Sequence, residues 1–156
     1  MELDKKKLIK CIVIPIAVGG VAGFLTSNGM AEFARLKQPP LSPPGWLFPI
    51  VWTILYILMG IASYLVLYAD SEENKFVALL IYGAQLVINF FWPIYFFGFQ
   101  IRFFAFLWLL LLWGLVFWMI RKFYRISRKA AWLCVPYLLW LTFAAYLNLG
   151  VWWLNL

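Results

Sequence analysis

The sequence predicts an all-α protein, a polytopic membrane protein built as a bundle of five transmembrane helices. Three observations lead there. Hydrophobic residues make up 66% of the 156 and charged residues only 12%, with a mean hydropathy of +0.90. A soluble domain has roughly 45–50% apolar residues and needs polar surface to cover its core. Charges are absent from 11–31, 38–69, 76–101, 103–120 and 130–156, and about 20 apolar residues cross a bilayer core. Finally, once five spans are drawn, the positive residues segregate by side.

The first span is placed at 8–27. Its lysine-rich start imitates a signal peptide, but the apolar run is of spanning length and no small-residue cleavage site precedes a soluble domain. It is read as a retained helix. Gly19, Gly23 and Ser27 give it a face of small residues at four-residue spacing, which lets another helix of this chain or of a second subunit approach closely. Residues 28–45 follow as a loop, because Gln38–Gly45 carries four prolines and cannot be regular helix. The second span is 46–68. The stretch from Phe76 to Ile120 is too long for one crossing, and Gly98, Gln100 and Arg102 cluster where a break is needed. An arginine at a helix centre costs about 2.5–3.5 kcal/mol on insertion scales, so Arg102 belongs at an interface. A tight turn at Gly98–Arg102 therefore separates spans at 76–97 and 103–121. The fifth span is 132–153.

With this topology Lys5, Lys6, Lys7, Lys10, Lys75, Arg121, Lys122, Arg125, Arg128 and Lys129 share one face, while Arg35, Lys37 and Arg102 lie on the other. Positive residues stay inside, so the N-terminus is expected in the cytoplasm, with the proline-rich loop and the C-terminus outside. The bacterial plasma membrane is the expected location. In a soluble domain a net charge of +7 would raise nucleic acid as a partner. Here the lipid bilayer accounts for it, and no nucleic-acid partner is expected.

Several chemistries are excluded. The chain has no histidine, which removes His-ligated metals and haem and His-based nucleophilic catalysis. No metal site and no required cofactor are expected. No acidic residue falls inside a span, which disfavours ion-coupled transport. Cys11 and Cys134 fall near cytoplasmic span ends and read as small packing residues.

The ten tryptophans exceed what an interfacial belt needs. Trp46, Trp132, Trp152 and Trp153 lie at span ends, as a belt predicts, and Trp108, Trp113 and Trp118 are candidates to face lipid. Trp52, Trp92 and Trp140 instead share helical faces with polar or small residues. Trp52 and Tyr56 are four apart; Gln85, Asn89 and Trp92 form one stripe, and Trp140, Ala144, Leu147 and Asn148 another. Amides turn away from lipid. Two readings of these stripes remain: the amides tie helices together, or indoles and amides line an aromatic cavity.

At these residues the sequence resembles the translocator protein family, also called tryptophan-rich sensory proteins or peripheral benzodiazepine receptors. The matching blocks are Leu36–Tyr56, with its two Pro-Pro pairs, Trp46 and Trp52; Met59-Gly60 and Ser63-Tyr64; Gln85–Asn89 with Trp92-Pro93 and Phe96-Phe97; and Pro136–Trp140 with Phe143-Ala144 and Leu147-Asn148. The first helix matches loosely through Pro15, Gly19, Gly20 and Gly23. The resemblance implies a clockwise five-helix bundle, commonly a homodimer, with a pocket lidded by the loop 28–45. It implies porphyrins such as protoporphyrin IX, and other flat lipophilic small molecules, as ligands. The matching pocket positions are Trp52, Asn89, Trp92, Trp140, Ala144 and Leu147. Arg35 and Lys37, on the outer loop, are candidate partners for porphyrin propionates.

The function expected is that of a membrane receptor or sensor for tetrapyrroles. Two alternatives stand beside it. One is a light- and oxygen-dependent enzyme that degrades protoporphyrin IX, with Trp52 and Trp140 in the catalytic role; the other is a carrier of lipophilic molecules. Vertebrate relatives end in a cholesterol motif that requires a basic residue after its tyrosine. Here Leu141 and Tyr146 are followed by none, which argues against sterol recognition.

Overall fold

The computed structural model describes residues 3–156. It contains α1 (Lys5–Leu25), a short α2 (Ser27–Phe33), α3 (Leu47–Leu67), α4 (Lys75–Pro93) continued by a π-helical turn (Ile94–Gly98), α5 (Arg102–Ile126) and α6 (Arg128–Leu154). Five of these, counting α4 with its π turn as one, are long and apolar enough to cross a membrane. The chain is thus a five-span α-helical membrane protein.

Local chemistry sets the boundaries. Asp4 caps α1 by accepting the N–H of Lys6 and Lys7 at 3.1 and 3.3 Å, Asn74 caps α4 through Val77, and Ser127 caps α6 through Ala130. All of the long helices but α3 run beyond the expected spans at the basic face. Sequence reading leaves 122–131 as a connection, yet only Ser127, extended at φ −150° and ψ 113°, separates α5 from α6. An uncharged run marks the hydrocarbon crossing, whereas the helix continues into the headgroup layer with its cations on the surface. There Arg121 lies over Phe117 and Arg128 over Tyr124, an arrangement suited to the interface.

Loop 28–45 differs from expectation too. Its first residues lie in α2, a turn follows at 34–36, and irregular chain begins at Lys37, just before the prolines. Leu41 takes φ 70° there. The break between the third and fourth spans falls at Phe99–Ile101, with Gln100 at φ 60°.

The long helices form a ring in the order α1–α3–α6–α5–α4 and back to α1, and α3 also touches α4 across it. The ring is solid at one end and hollow at the other. Toward the basic end Met59, Val66, Met119, Phe123 and Cys134 are completely buried. At the lid end the ring encloses a cavity. Of α1 only Pro15 and Ala22 are buried, so this helix is the loosest wall. It is held at close approaches. The Asp4 N–H donates to the buried Tyr64 hydroxyl at 2.9 Å, and Gly19 lies against the Tyr56 ring. Pro15 withholds the N–H that the Cys11 carbonyl would receive in a regular helix. That carbonyl lies against Gly60, where a built Cβ would be only 2.8 Å from it. The small-residue face of α1 therefore meets α3 of the same chain at Gly19, but not at Gly23, where no atom lies within 4 Å of a built Cβ.

Candidate functional site

The hollow end holds a cavity of about 470 Å³, within the range of small-molecule sites. Its walls come from α1, α2, α3, α4 with its π turn, and α6, and α5 contributes none. Trp52, Asn89, Trp92, Trp140, Ala144 and Leu147 all line it. Arg35 and Lys37 do not. Both are exposed, and the Lys37 backbone is occupied with the Asn155 side chain, donating to Oδ1 at 3.0 Å and accepting from Nδ2 at 2.9 Å.

The π turn explains how one helix supplies three rings. Trp92 and Phe96 share a face at α-helical spacing, and a fifth residue would ordinarily point elsewhere. Pro93 removes a backbone donor, and the turn widens so that the Phe99 N–H reaches the Ile94 carbonyl at 2.8 Å. Phe97 then also faces inward. Trp92 stacks on Phe96 (5.3 Å, 21°) and meets Phe97 edge-on (6.0 Å, 78°).

Across the cavity Trp52 stacks on Tyr56 at 5.6 Å. It stands perpendicular to Trp140, centroids 6.5 Å apart, and edge-on to Tyr137 at 6.2 Å. Phe48 closes on Trp140 at 5.9 Å. Such edge-on and offset pairs are favourable by about 0.5–1.5 kcal/mol each beyond burial.

Most polar handles are tied outside the hollow. The Trp92 indole N–H donates to Asn148 Oδ1 at 3.0 Å, and Asn148 Nδ2 donates to the Arg102 carbonyl at 2.8 Å. The Tyr137 hydroxyl accepts from Asn89 Nδ2 and donates to Gln85 Oε1, both at 2.7 Å. Both readings of the amides therefore hold. Gln85 ties α4 to α6 away from the cavity, while Asn89 and Asn148 tie helices and line it. The Trp140 indole N–H is buried with no acceptor in the described chain. Trp108 and Trp113, candidates for lipid, are half-buried clamps that donate to the Ile88 carbonyl (2.7 Å) and Thr142 Oγ1 (2.8 Å). Trp118 is exposed.

Sequence reading missed part of the wall. Met30 and Phe33 come from α2, where a loop was expected, and Ile16, Gly20 and Gly23 come from α1. The run Gly19-Gly20 with Gly23 was the available signal for the latter. A cation does lie behind the wall: the Arg102 guanidinium sits over the Phe96 ring at 5.4 Å, and its Nε and Nη2 are buried without partners in the described chain.

The lid is strapped down. Its anchors are the Lys37–Asn155 pair, the Tyr146 hydroxyl donating to the Pro40 carbonyl at 2.7 Å, Pro39 seated on Gly150, Gly29 against the Phe97 carbonyl, and Gln100 paired with Glu32.

Comparison with known proteins follows the same chain. The sequence profile described as the TspO/MBR family matches residues 11–154. The chain is 37% identical over 150 residues to the tryptophan-rich protein TspO of Chlorobaculum tepidum, covering 95% of both. It is 39% identical over 138 residues to the translocator protein of Ovis aries, covering 86% of this chain and 82% of that one. To protein CrtK of Rhodobacter capsulatus it is 36% identical over 143 residues, covering 91% and 89%.

Proposed function

The chain belongs to the TspO/MBR family, and from that premise we propose that it is an integral membrane receptor for a flat apolar ligand of the porphyrin class, with protoporphyrin IX as its representative. One observation carries the reading: the indoles of Trp52, Trp92 and Trp140, from three helices, converge with Phe48 and Phe96 on one hollow. A tetrapyrrole offers two π faces to such walls, and its burial contributes about 25 cal/mol per Å² of apolar surface. Trp140 adds a buried donor for a ligand acceptor, since an unmade buried hydrogen bond costs about 1–3 kcal/mol. For the propionates, Arg102 behind Phe96, with buried nitrogens unpartnered in the described chain, is a candidate beside Arg35 and Lys37.

The test is a protoporphyrin IX titration of the detergent-purified chain, followed by tryptophan fluorescence. Saturable quenching is expected in the parent. It should be lost in Ala144→Phe, which puts a ring into the hollow. Quenching that never saturates, or that matches empty micelles, refutes the reading.

A second reading draws on the Trp52–Trp140 pair. Two oxidisable indoles in edge contact at the cavity wall suit one-electron transfer to a photoexcited porphyrin. Dioxygen adds to the porphyrin radical anion, and the adduct returns the electron to the indole radical cation, so the ring gains both oxygen atoms and the indole is restored. Light-dependent bleaching should then fall in Trp52→Phe and Trp140→Phe. Equal bleaching in parent and variants removes both residues from that chemistry.

A further inference from the structure

The cavity is not sealed on every side. Among its lining residues, those of α4 and α6 that close it from within, Asn89, Trp92, Phe96, Asn148 and Val151, are buried. The exposed ones form a rim: Ile16, Gly20 and Gly23 on α1, Pro49 and Thr53 on α3, and Ser27 where α2 begins above them. The helices touch firmly nearer the basic end, at Ile12–Gly60 and Gly19–Tyr56, and nothing lies within 4 Å of a Cβ built on Gly20 or Gly23. The gap thus starts where the last close approach ends, in the half of the membrane nearer the lid.

The chemistry of the rim matches hydrocarbon. It carries no charge. Thr53 donates to the Pro49 carbonyl at 2.7 Å, and at the top of the gap Ser27 donates to the Phe24 carbonyl at 2.9 Å and Thr26 to the Ala22 carbonyl at 2.9 Å. Each hydroxyl is satisfied by a carbonyl three or four residues back in the chain, as polar groups must be in lipid. The aqueous side is the reverse, since the lid is fastened at five places.

We propose that the gap between α1 and α3 is a lateral portal through which a flat, membrane-dissolved apolar molecule slides edge-on from the acyl layer into the cavity. The proposal rests on the reading of the cavity as a ligand site. The glycines are its functional residues: Gly20 and Gly23 keep the slot open because they have no side chains.

The experiment uses the full chain in phosphatidylcholine vesicles with an aryl diazirine dissolved in the lipid, photolysed and mapped by mass spectrometry. The parent should be labelled at cavity residues such as Trp52 and Ala144 as well as at lipid-facing Phe24 and Leu139. In Gly20→Leu/Gly23→Leu, cavity labelling should fall to the level of core Leu112 while Phe24 and Leu139 are unchanged. Leucine is a far better helix former than glycine, so the variant is expected to fold. In Asn155→Ala/Tyr146→Phe, which unfastens the lid, cavity labelling should not change. Undiminished cavity labelling in the leucine variant, or labelling that rises when the lid is loosened, overturns the portal. A protoporphyrin IX mixing experiment separates the two ideas. The leucines should slow association by about tenfold, equivalent to ~1.4 kcal/mol of barrier. Unchanged association refutes gating. If the parent does not bind protoporphyrin yet shows the expected labelling, the ligand assignment falls and the portal stands.

Discussion

Gly60→Ala is expected to detach α1 from the bundle. A methyl group on residue 60 would sit 2.5 Å from the Ile12 Cα, 2.8 Å from the Cys11 carbonyl oxygen and 3.0 Å from the Ile12 nitrogen. Carbon atoms pack at about 3.5–4.0 Å, so the helices must separate by roughly 1 Å or more. All three clashing atoms are backbone, which no rotamer change can move. Overpacking of this kind costs about 1–3 kcal/mol even where side chains can adjust. α1 has little in reserve, with only Pro15 and Ala22 buried, so the upper end of that range is expected. For a chain of this length about 2–4 °C of melting temperature is lost per kcal/mol, giving a fall of roughly 6–12 °C. The assay is thermal unfolding in a fixed detergent, followed by tryptophan fluorescence. Gly20→Ala is the control: its methyl meets nothing, and it removes up to about 1 kcal/mol of helix penalty, so it should melt at or above the parent temperature. Equal melting of Gly60→Ala and parent, or an equal fall in the control, refutes the argument that bare backbone contact holds this wall.

Two further outcomes follow from the hydrogen bonds. Tyr137→Phe leaves Asn89 and Gln85 buried without their shared partner, and at about 0.6–2 kcal/mol per interhelical bond in a membrane it should lower thermal stability clearly without altering the helical content; an unchanged melting temperature would show that the amides find other partners. Asn155→Ala removes both bonds to the Lys37 backbone, so hydrogen exchange and proteolysis at residues 36–42 should accelerate while the spans keep their protection; unaltered exchange there would show that Tyr146 and Gly150 alone hold the lid.

The five crossings were legible because insertion into lipid is decided by the length of uncharged runs, which sequence displays directly. Helix ends were not, since polar residues such as Arg125 and Lys129 extend a helix into the headgroup layer as readily as they end it. The site was legible where residue type forces direction: amides avoid lipid, so Asn89 and Asn148 marked the interior, and the indoles on their faces came with them. Trp108 and Trp113, candidates for lipid, are half-buried and hydrogen-bonded, because an indole suits lipid and protein equally and only the position of the Ile88 carbonyl or Thr142 decides. The α1 wall was hidden for a different reason. Glycine contributes a cavity by leaving space, and a glycine that admits a helix, such as Gly19, reads the same as one that admits a ligand, such as Gly23. α2 was concealed by the prolines that follow it, which forbid helix from Pro39 onward but say nothing of Ser27–Phe33.

The two tryptophans Trp92 and Trp140 look equivalent in sequence, yet the structure gives them opposite energetics. Trp92→Phe strips the donor from Asn148 Oδ1, an amide that is 1% exposed, so it should cost about 1–3 kcal/mol of stability whether or not ligand is bound. Trp140→Phe removes a buried donor that no atom of the described residues accepts, so the unliganded protein should lose only ring area and gain back the unmet hydrogen bond. Its effect should appear on binding instead. A ligand with a carbonyl or carboxyl acceptor should bind more weakly, while a hydrocarbon analogue of the same shape should be nearly indifferent. Melting temperatures measured with and without each ligand separate these cases. If Trp140→Phe destabilised the empty protein as much as Trp92→Phe, or weakened both ligands equally, the indole of Trp140 would be a structural ring and not a donor held in readiness at the cavity wall.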